Sequence, residues 1–177
     1  MQDKLRAELS DYFGSHTDNA SMTSGSLELL PYLDAVTKEQ LRFFPSVPIT
    51  GRQAVRDTLI LGQPIPTGTY VIMSPWAINR SKTLWGPDAQ EFKPERWLAA
   101  GQGSLGGAKS PLSLMTFLHG PRSCIGQAFS RAELKCLVAA MVLKFEFQMA
   151  DPSEVIEPGG FVTIKPQNGM RLRLREL

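Results

Sequence analysis

The chain has 177 residues, with 19 Lys plus Arg against 17 Asp plus Glu and a formal net charge of +2. Apolar residues at 42% and charged residues at 20% suit one globular domain, or a large piece of one, and exclude outright disorder. The near-balance of charge argues against a nucleic-acid-binding surface, and no apolar run approaches the roughly 20 residues of a membrane span. No signal-peptide pattern opens the sequence.

In chain order, Asp3 to Phe13 reads as the tail of an amphipathic helix, with Leu5, Leu9 and Tyr12 toward one face. Gly14 to Leu27 is rich in Ser, Thr, Asn and Gly and reads as a loop. Pro31 opens a second helix that runs to Phe43, carries Leu33, Val36 and Leu41, and is stopped by Pro45 and Pro48. Short strands follow between Ile49 and Ile72, interrupted by Gly62 and by a bend at Pro64–Pro66. Pro75 to Asn79 fits a short helix, and Gly86-Pro87-Asp88 a turn. The segment Phe92-Lys93-Pro94-Glu95-Arg96-Trp97 has neither a helix nor a strand period.

Gly101 to Gly107 holds four glycines and reads as a flexible surface loop. Gln127 to Lys144 is the strongest helix. Its apolar residues, Phe129, Leu134, Leu137, Val138, Met141 and Val142, spread around the circumference, which predicts burial. Phe145, Phe147 and Met149 alternate as in a strand. A terminal hairpin is predicted from Phe161–Lys165 and Met170–Arg175 about Asn168-Gly169. Alternating Arg171, Arg173 and Arg175 would then form an exposed strand face, with Leu172 and Leu174 inward.

Two cysteines, Cys124 and Cys136, are too few for a disulfide framework and read as free thiols. Cys124 lies in the glycine-bounded loop Phe117-Leu118-His119-Gly120-Pro121-Arg122-Ser123-Cys124-Ile125-Gly126, just ahead of the long helix. A helix start favours an anion, so a thiol there is a candidate metal ligand or nucleophile. Gly120 and Gly126 clear side chains from both sides, leaving room for a flat ligand, and Arg122 could meet a carboxylate on it. The plain alternative is a small buried hydrophobe. A nucleophilic Cys needs a His, and the chain has only His16 and His119. The Cys and His spacing does not match a zinc site. Cys136, in mid-helix, reads as a structural residue. Glu39 and Arg42 are three apart on one helix face, and Arg96 could close a triad with them.

The loop fits Phe-x-x-Gly-x-Arg-x-Cys-x-Gly at all five fixed positions and resembles the haem-ligand signature of the cytochrome P450 superfamily, the haem-thiolate monooxygenases. Glu39 and Arg42 resemble the family's Glu-x-x-Arg helix, and Pro94-Glu95-Arg96 its Pro-x-Arg segment. Arg52, five residues before Asp57, resembles the arginine that reaches a haem propionate. The resemblance extends from Asp3 to Leu177.

It implies a mainly α fold with small β-sheets, residues 1–177 being the C-terminal, proximal haem-side portion of the P450 domain. It implies haem b, with Cys124 as the thiolate ligand of the iron and Arg122 and Arg52 on the propionates. Phe117 would lie near the thiolate, with Gly120 and Gly126 close to the ring. Glu39, Arg42 and Arg96 would have a structural role. The family's Ala/Gly-Gly-x-Asp/Glu-Thr oxygen-activation motif is not found, and Thr17-Asp18 reverses its order. No catalytic distal residue is therefore assigned.

The parent reaction would insert one oxygen atom of O2 into an apolar substrate, with electrons from an NADPH-dependent flavin reductase, at the endoplasmic reticulum membrane. The phrasing around Leu84–Ala89 and the loop itself resembles eukaryotic microsomal members, fungal ones especially. By the same resemblance, Ser46–Gly51 and the turn near Gln167 would line the substrate pocket. Two alternatives stand beside this reading: a non-catalytic haem-binding fragment, and a cysteine nucleophile using Cys124 and His119.

Overall fold

The computed structural model describes residues 1–14, 22–99 and 105–177. His16, Thr17 and Asp18 lie outside them, as does most of the predicted glycine loop at 101–107.

Helix α1 (Gln2–Phe13) buries Leu5 and Leu9 but leaves Tyr12 exposed, so its apolar face is narrower than the sequence suggests. The predicted loop at 14–27 instead leads into a short helix, α2 (Ser24–Glu28). Thr23 caps it: its hydroxyl accepts from the Ser26 amide while the Ser26 hydroxyl accepts from the Thr23 amide. This is a capping box with Ser where Glu or Gln is usual, which hid the signal. Helix α3 (Pro31–Phe43) starts at a proline with no cap of its own. Glu8, on α1, supplies one, accepting from the amides of Tyr32 and Leu33 at 2.7 and 2.8 Å. A carboxylate there satisfies two orphan donors and meets the positive end of the helix.

Strands β1 (Thr50–Gln53) and β4 (Tyr70–Met73) pair antiparallel, Arg52 facing Val71. Between them β2 (Thr58–Ile60) and β3 (Gln63–Ile65) form a tight hairpin, so Pro64 sits in a strand where a bend was expected. Helix α4 (Pro75–Ile78) is capped by Ser74, and α5 (Lys82–Trp85) ends at Gly86, whose φ of 90° suits glycine. Pro94–Trp97 forms a 3-10 turn in the segment that showed no period.

Helix α6 (Gln127–Lys144) has the expected bounds but not the expected burial. Lys135, Ala139 and Val142, spaced four and three apart, are its buried residues, whereas Phe129, Leu137 and Met141 are exposed. Cys136, read as a structural mid-helix residue, is exposed too. Among the described residues α1, α2 and α3 cover one face of α6, so an apolar circumference did not translate into an enclosed helix. Leu5, Leu9, Leu27, Leu33, Ala139 and Val142 form the core where these four helices meet. Arg6 fixes the far end of α6, donating to the carbonyls of Val142 and Phe145 at 3.0 and 3.1 Å.

The terminal hairpin does not form as predicted. Strand β8 (Leu172–Glu176) pairs antiparallel with β5 (Phe145–Met149), Leu174 opposite Phe147. The short β7 (Lys165–Pro166) pairs with β6 (Pro158–Gly159) instead. Asn168-Gly169 does turn the chain, but Phe161 is fully exposed and Leu174 more than half exposed, so neither supplies an inward face there. Arg175 pairs across the strands with Glu146. The described residues form a helical body with four two-stranded sheets, an α+β arrangement as expected. Among the described residues no helix is long and apolar enough to cross a membrane.

Candidate haem-thiolate site

The loop from Phe117 to Gly126 is closed by its own backbone. The Cys124 amide donates to the Phe117 carbonyl at 2.9 Å, and the Ser123 amide to Gly120 at 3.0 Å. Leu118 and Gly120 take positive φ, 59° and 78°, to make this reversal. For Leu118 that conformation is uncommon, and it sits where the chain turns back on itself. Gly120–Arg122 forms a 3-10 turn, and Cys124 arrives three residues before the first residue of α6. The Gln127 amide points back to the Cys124 carbonyl at 3.4 Å.

Cys124 is exposed, and a Cβ placed on Gly126 would lie 3.9 Å from its Sγ, so the thiol leans along the open side that Gly126 leaves. Ile125 and Phe129 stand exposed beside it. Phe117 is half-buried, with the Arg131 guanidinium 5.7 Å from its ring centre. Arg122 is exposed and pairs with no carboxylate among the described residues. Arg52 is likewise exposed on β1 and donates only to the Gly51 carbonyl and, at 3.5 Å, the Thr50 hydroxyl. Asp57 does not meet Arg52; it accepts from the amide and hydroxyl of Thr67, both at 2.8 Å. His119 bonds through Nε2 to the Leu114 carbonyl at 3.0 Å and makes no hydrogen bond to Cys124.

Glu39, Arg42 and Arg96 meet behind the loop. Glu39 and Arg42 are fully buried and Arg96 nearly so. Glu39 accepts twice from Arg42 at 2.8 Å, once from Arg96 Nε at 3.1 Å, and from the Lys93 amide at 2.7 Å. Burial alone would push the Glu39 carboxyl up. The Arg42 and Lys93 hydrogen bonds, with the charges of Arg42 and Arg96, hold it below its ordinary value.

Several members of this cluster had no sequence signal. Trp97 donates from its indole nitrogen to Glu39 Oε2 at 3.0 Å. Asp88 takes the other end of Arg96, and Arg42 also donates to the carbonyls of Asn79, Ala89 and Glu91. Asn79 carries the cluster to the loop: its side chain accepts from the Met115 amide at 2.8 Å and donates to Thr116 at 2.9 Å. Thr116 in turn donates to the Leu41 carbonyl at 2.6 Å. The residues immediately before Phe117 are thus pinned to α3 and to the Glu39 cluster. Tertiary hydrogen bonds to main-chain carbonyls leave no periodicity in a sequence.

The comparisons with known proteins agree with this geometry. A family model described as cytochrome P450 matches residues 1–172. Cytochrome P450 monooxygenase sphH of Aspergillus fumigatus is 44% identical over 96% of this chain, and ptmK of Penicillium ochrochloron is 42% identical over all of it. The chain spans about a third of these curated relatives, 31% and 35% of their lengths. Among solved structures, a retinoic acid-bound cyanobacterial CYP120A1 superposes with a TM-score of 0.84 at 26% identity, covering 99% of this chain and 38% of its own. CYP102L1 superposes at 0.83 with 31% identity, over 99% of this chain and 38% of its own. The chain belongs to the cytochrome P450 family. Its similarity to fungal monooxygenases supports the fungal affinity read from the sequence.

Proposed function

We propose that residues 1–177 form the proximal haem-side portion of a haem-thiolate monooxygenase, with Cys124 as the iron ligand of haem b. The observation that carries this reading is the exposed Cys124 thiol at the entrance to α6, between Gly120 and Gly126, with bare Ile125 and Phe129 beside it. The residues present suit the group. A flat apolar ring would cover Ile125 and Phe129, and burial of such surface is favourable at roughly 25 cal/mol per Å2. Arg122 and Arg52, which pair with no acid among the described residues, suit two propionates.

A bound thiolate-ligated haem supplies dioxygen activation, its sulfur pushing electron density to the iron. The chain's own residues supply the setting. The Phe117–Cys124 backbone bond holds the sulfur-bearing residue in place, and half-buried Phe117 would lie beside it under a bound haem. The Glu39 cluster, acting through Asn79 and Thr116, fixes the approach to the loop. In the complete enzyme the reaction is insertion of one oxygen atom into an apolar organic substrate. Electrons come from an NADPH-dependent flavin reductase, at the endoplasmic reticulum membrane. Ser46 lines a cavity with Pro166 and Met170, and the Ile164 amide donates to its carbonyl, which supports a substrate-facing role for this region.

The test is the spectrum of the reduced protein with carbon monoxide after haem addition. A strongly red-shifted Soret band that disappears in Cys124→Ala supports thiolate ligation. An unshifted band, or one indifferent to that substitution, refutes it. By itself the 177-residue chain is expected to give no NADPH-dependent product above a free-haem control. It holds no Ala/Gly-Gly-x-Asp/Glu-Thr motif, and the outer faces of α6 are bare.

A further inference from the structure

Three arginines are buried, and among the described residues two of them have an acid. Arg42 and Arg96 are paired with Glu39, and Arg96 also with Asp88. Arg80 is 8% exposed, and no carboxylate of the described residues lies within ion-pair distance of it. Its guanidinium lies over three rings, 3.4 Å from the centre of Trp76, 4.3 Å from Phe43 and 5.6 Å from Phe44. These faces answer its charge but not its hydrogen-bonding capacity. A guanidinium 3.4 Å from a ring centre directs its N–H bonds mainly outward in its own plane, and a ring face is only a weak acceptor for them. Nη1 is buried with no acceptor among the described residues. Burial, with the charge of Arg42 behind it, pulls the Arg80 pKa down to about 10. The environment therefore lacks an anion that would restore it.

Arg80 lines a cavity of about 600 Å3, in the size range of small-molecule sites. The walls are mainly apolar, from Phe44, Trp76, Ile164 and Met170. Lys165 and Glu157 stand at it as well, both exposed and without an ion pair to Arg80. None of the lining residues belongs to the Phe117–Gly126 loop. A mainly apolar, open cleft with one buried cation unpaired among the described residues is complementary to an apolar stem ending in an anionic oxygen pair.

Resting on the substrate-facing reading of the cavity that Ser46 lines, we propose that it binds an apolar carboxylic acid, its carboxylate held by Arg80 and its stem along Trp76, Ile164 and Met170. The bond would be charge-assisted, to a side chain that is itself 8% exposed. The ligand enters as a free molecule. The volume exceeds what one acidic side chain needs.

The test is calorimetric titration of the protein, its fold verified by near-ultraviolet circular dichroism, with decanoate and with decanol. The two probes share a stem and differ in the head group. Decanoate is expected to bind about tenfold or more tightly than decanol. Arg80→Met should close that gap and leave decanol affinity as it was, and Arg80→Lys should restore part of it. Equal affinities in the unaltered protein overturn the proposal, as does a gap that survives Arg80→Met. Failure of decanoate to bind the folded protein, as when another segment already fills the site, overturns it too. If Arg80→Met does not fold, the two probes on the unaltered protein decide alone. The titration needs no haem, so its result is separable from the carbon monoxide spectrum.

Discussion

Arg42 lays the edge of its guanidinium against the Glu39 carboxylate, Nε on Oε2 and Nη2 on Oε1, each at 2.8 Å, with both side chains shut off from water. The fork leaves Arg42 Nη1 and the rest of Nη2 free to hold three carbonyls of the chain between Asn79 and Glu91. Removing Arg42 would strand a buried carboxylate and three carbonyls together. Arg42→Ala should therefore cost on the order of 3–5 kcal/mol. Arg42→Lys should recover little, because an ammonium cannot make the two-pronged contact. Urea unfolding measures the cost. In a complete chain, haem content per protein should fall in parallel, whereas normal haem content with slowed turnover would contradict a structural role.

The same cluster sets an acid limit. Burial pushes Glu39 up and its partners push it further down, and Asp34 behaves alike, with Lys135 and Lys38 outweighing burial. Asp88 is lowered chiefly by its bond from Lys93. Groups depressed in the folded state bind fewer protons there than when unfolded. Their stabilisation is complete above the unfolded values, 4.5 for Glu39 and 3.8 for the aspartates, and drains as pH falls through the folded ones. The urea midpoint should be flat near pH 6 and drop below about pH 4.5. Glu39→Gln should flatten much of that fall. An unchanged slope would assign the acid limit to other carboxylates.

A glycine far away in sequence touches this arrangement. Gly106 has φ of 58°, and a Cβ there would come within 2.7 Å of Trp97 Cε3. Trp97 cannot yield freely, since its indole nitrogen is bonded to Glu39 and its ring meets Trp85 edge-on. Gly106→Ala combines backbone strain with overpacking and should cost roughly 2 kcal/mol or more. Gly62→Ala shares the positive φ, and a Cβ there would meet nothing within 4 Å. The difference between the two midpoints isolates the contact with the ring, and equal midpoints would show that Trp97 gives way.

Lys135 gives a second buried charge to test. Its side chain is nearly enclosed on α6 and reaches Asp34 at 2.8 Å and the exposed Glu28 at 2.9 Å. Asp34 also holds Lys38 at 2.6 Å. The two partners are therefore unequal. Lys135→Met leaves Asp34 with Lys38, and its cost should be about 1 kcal/mol or less. Asp34→Ala leaves the enclosed ammonium with one solvent-facing partner and should cost about 2–3 kcal/mol. The reverse order on thermal unfolding would contradict the pairing.

The sequence conveyed what rests on local pattern. Pro31 and the helix-breaking prolines framed α3, and the three-residue spacing placed Glu39 beside Arg42. The fixed positions from Phe117 to Gly126 located the thiol. What it did not convey depends on distant neighbours. Glu8 capping α3, Asn79 linking Arg42 to Thr116, and Trp97 closing on Glu39 all join residues more than 15 apart. The apolar girth of α6 was legible, but which face other helices would cover was not, so the exposure of Cys136 was not foreseen. At the C-terminus the turn at Gly169 was right and the partner strand wrong, because β8 matches β5, which lies before the predicted hairpin.

Cys124 and Cys136 offer an internally controlled test of the site. Both are exposed, so accessibility does not separate them. Their settings do. Cys124 is held by its amide on the Phe117 carbonyl, at the open start of α6 and beside Gly126. Cys136 lies in the middle of the helix, away from the Phe117–Gly126 loop. Cys124→Ala in a complete chain should abolish the red-shifted Soret band of the reduced carbon monoxide complex. Because the thiol is exposed, it should shift apo stability by about 0.5 kcal/mol or less. Cys136→Ala should leave both the band and the stability essentially as they were. Cys124→Ser distinguishes the sulfur from the shape: a hydroxyl of similar size fits the loop but lacks the electron-donating thiolate, so haem retained without the band would support sulfur ligation. A protein that keeps the band as Cys124→Ala and loses it as Cys136→Ala would move the iron ligand to Cys136, within α6.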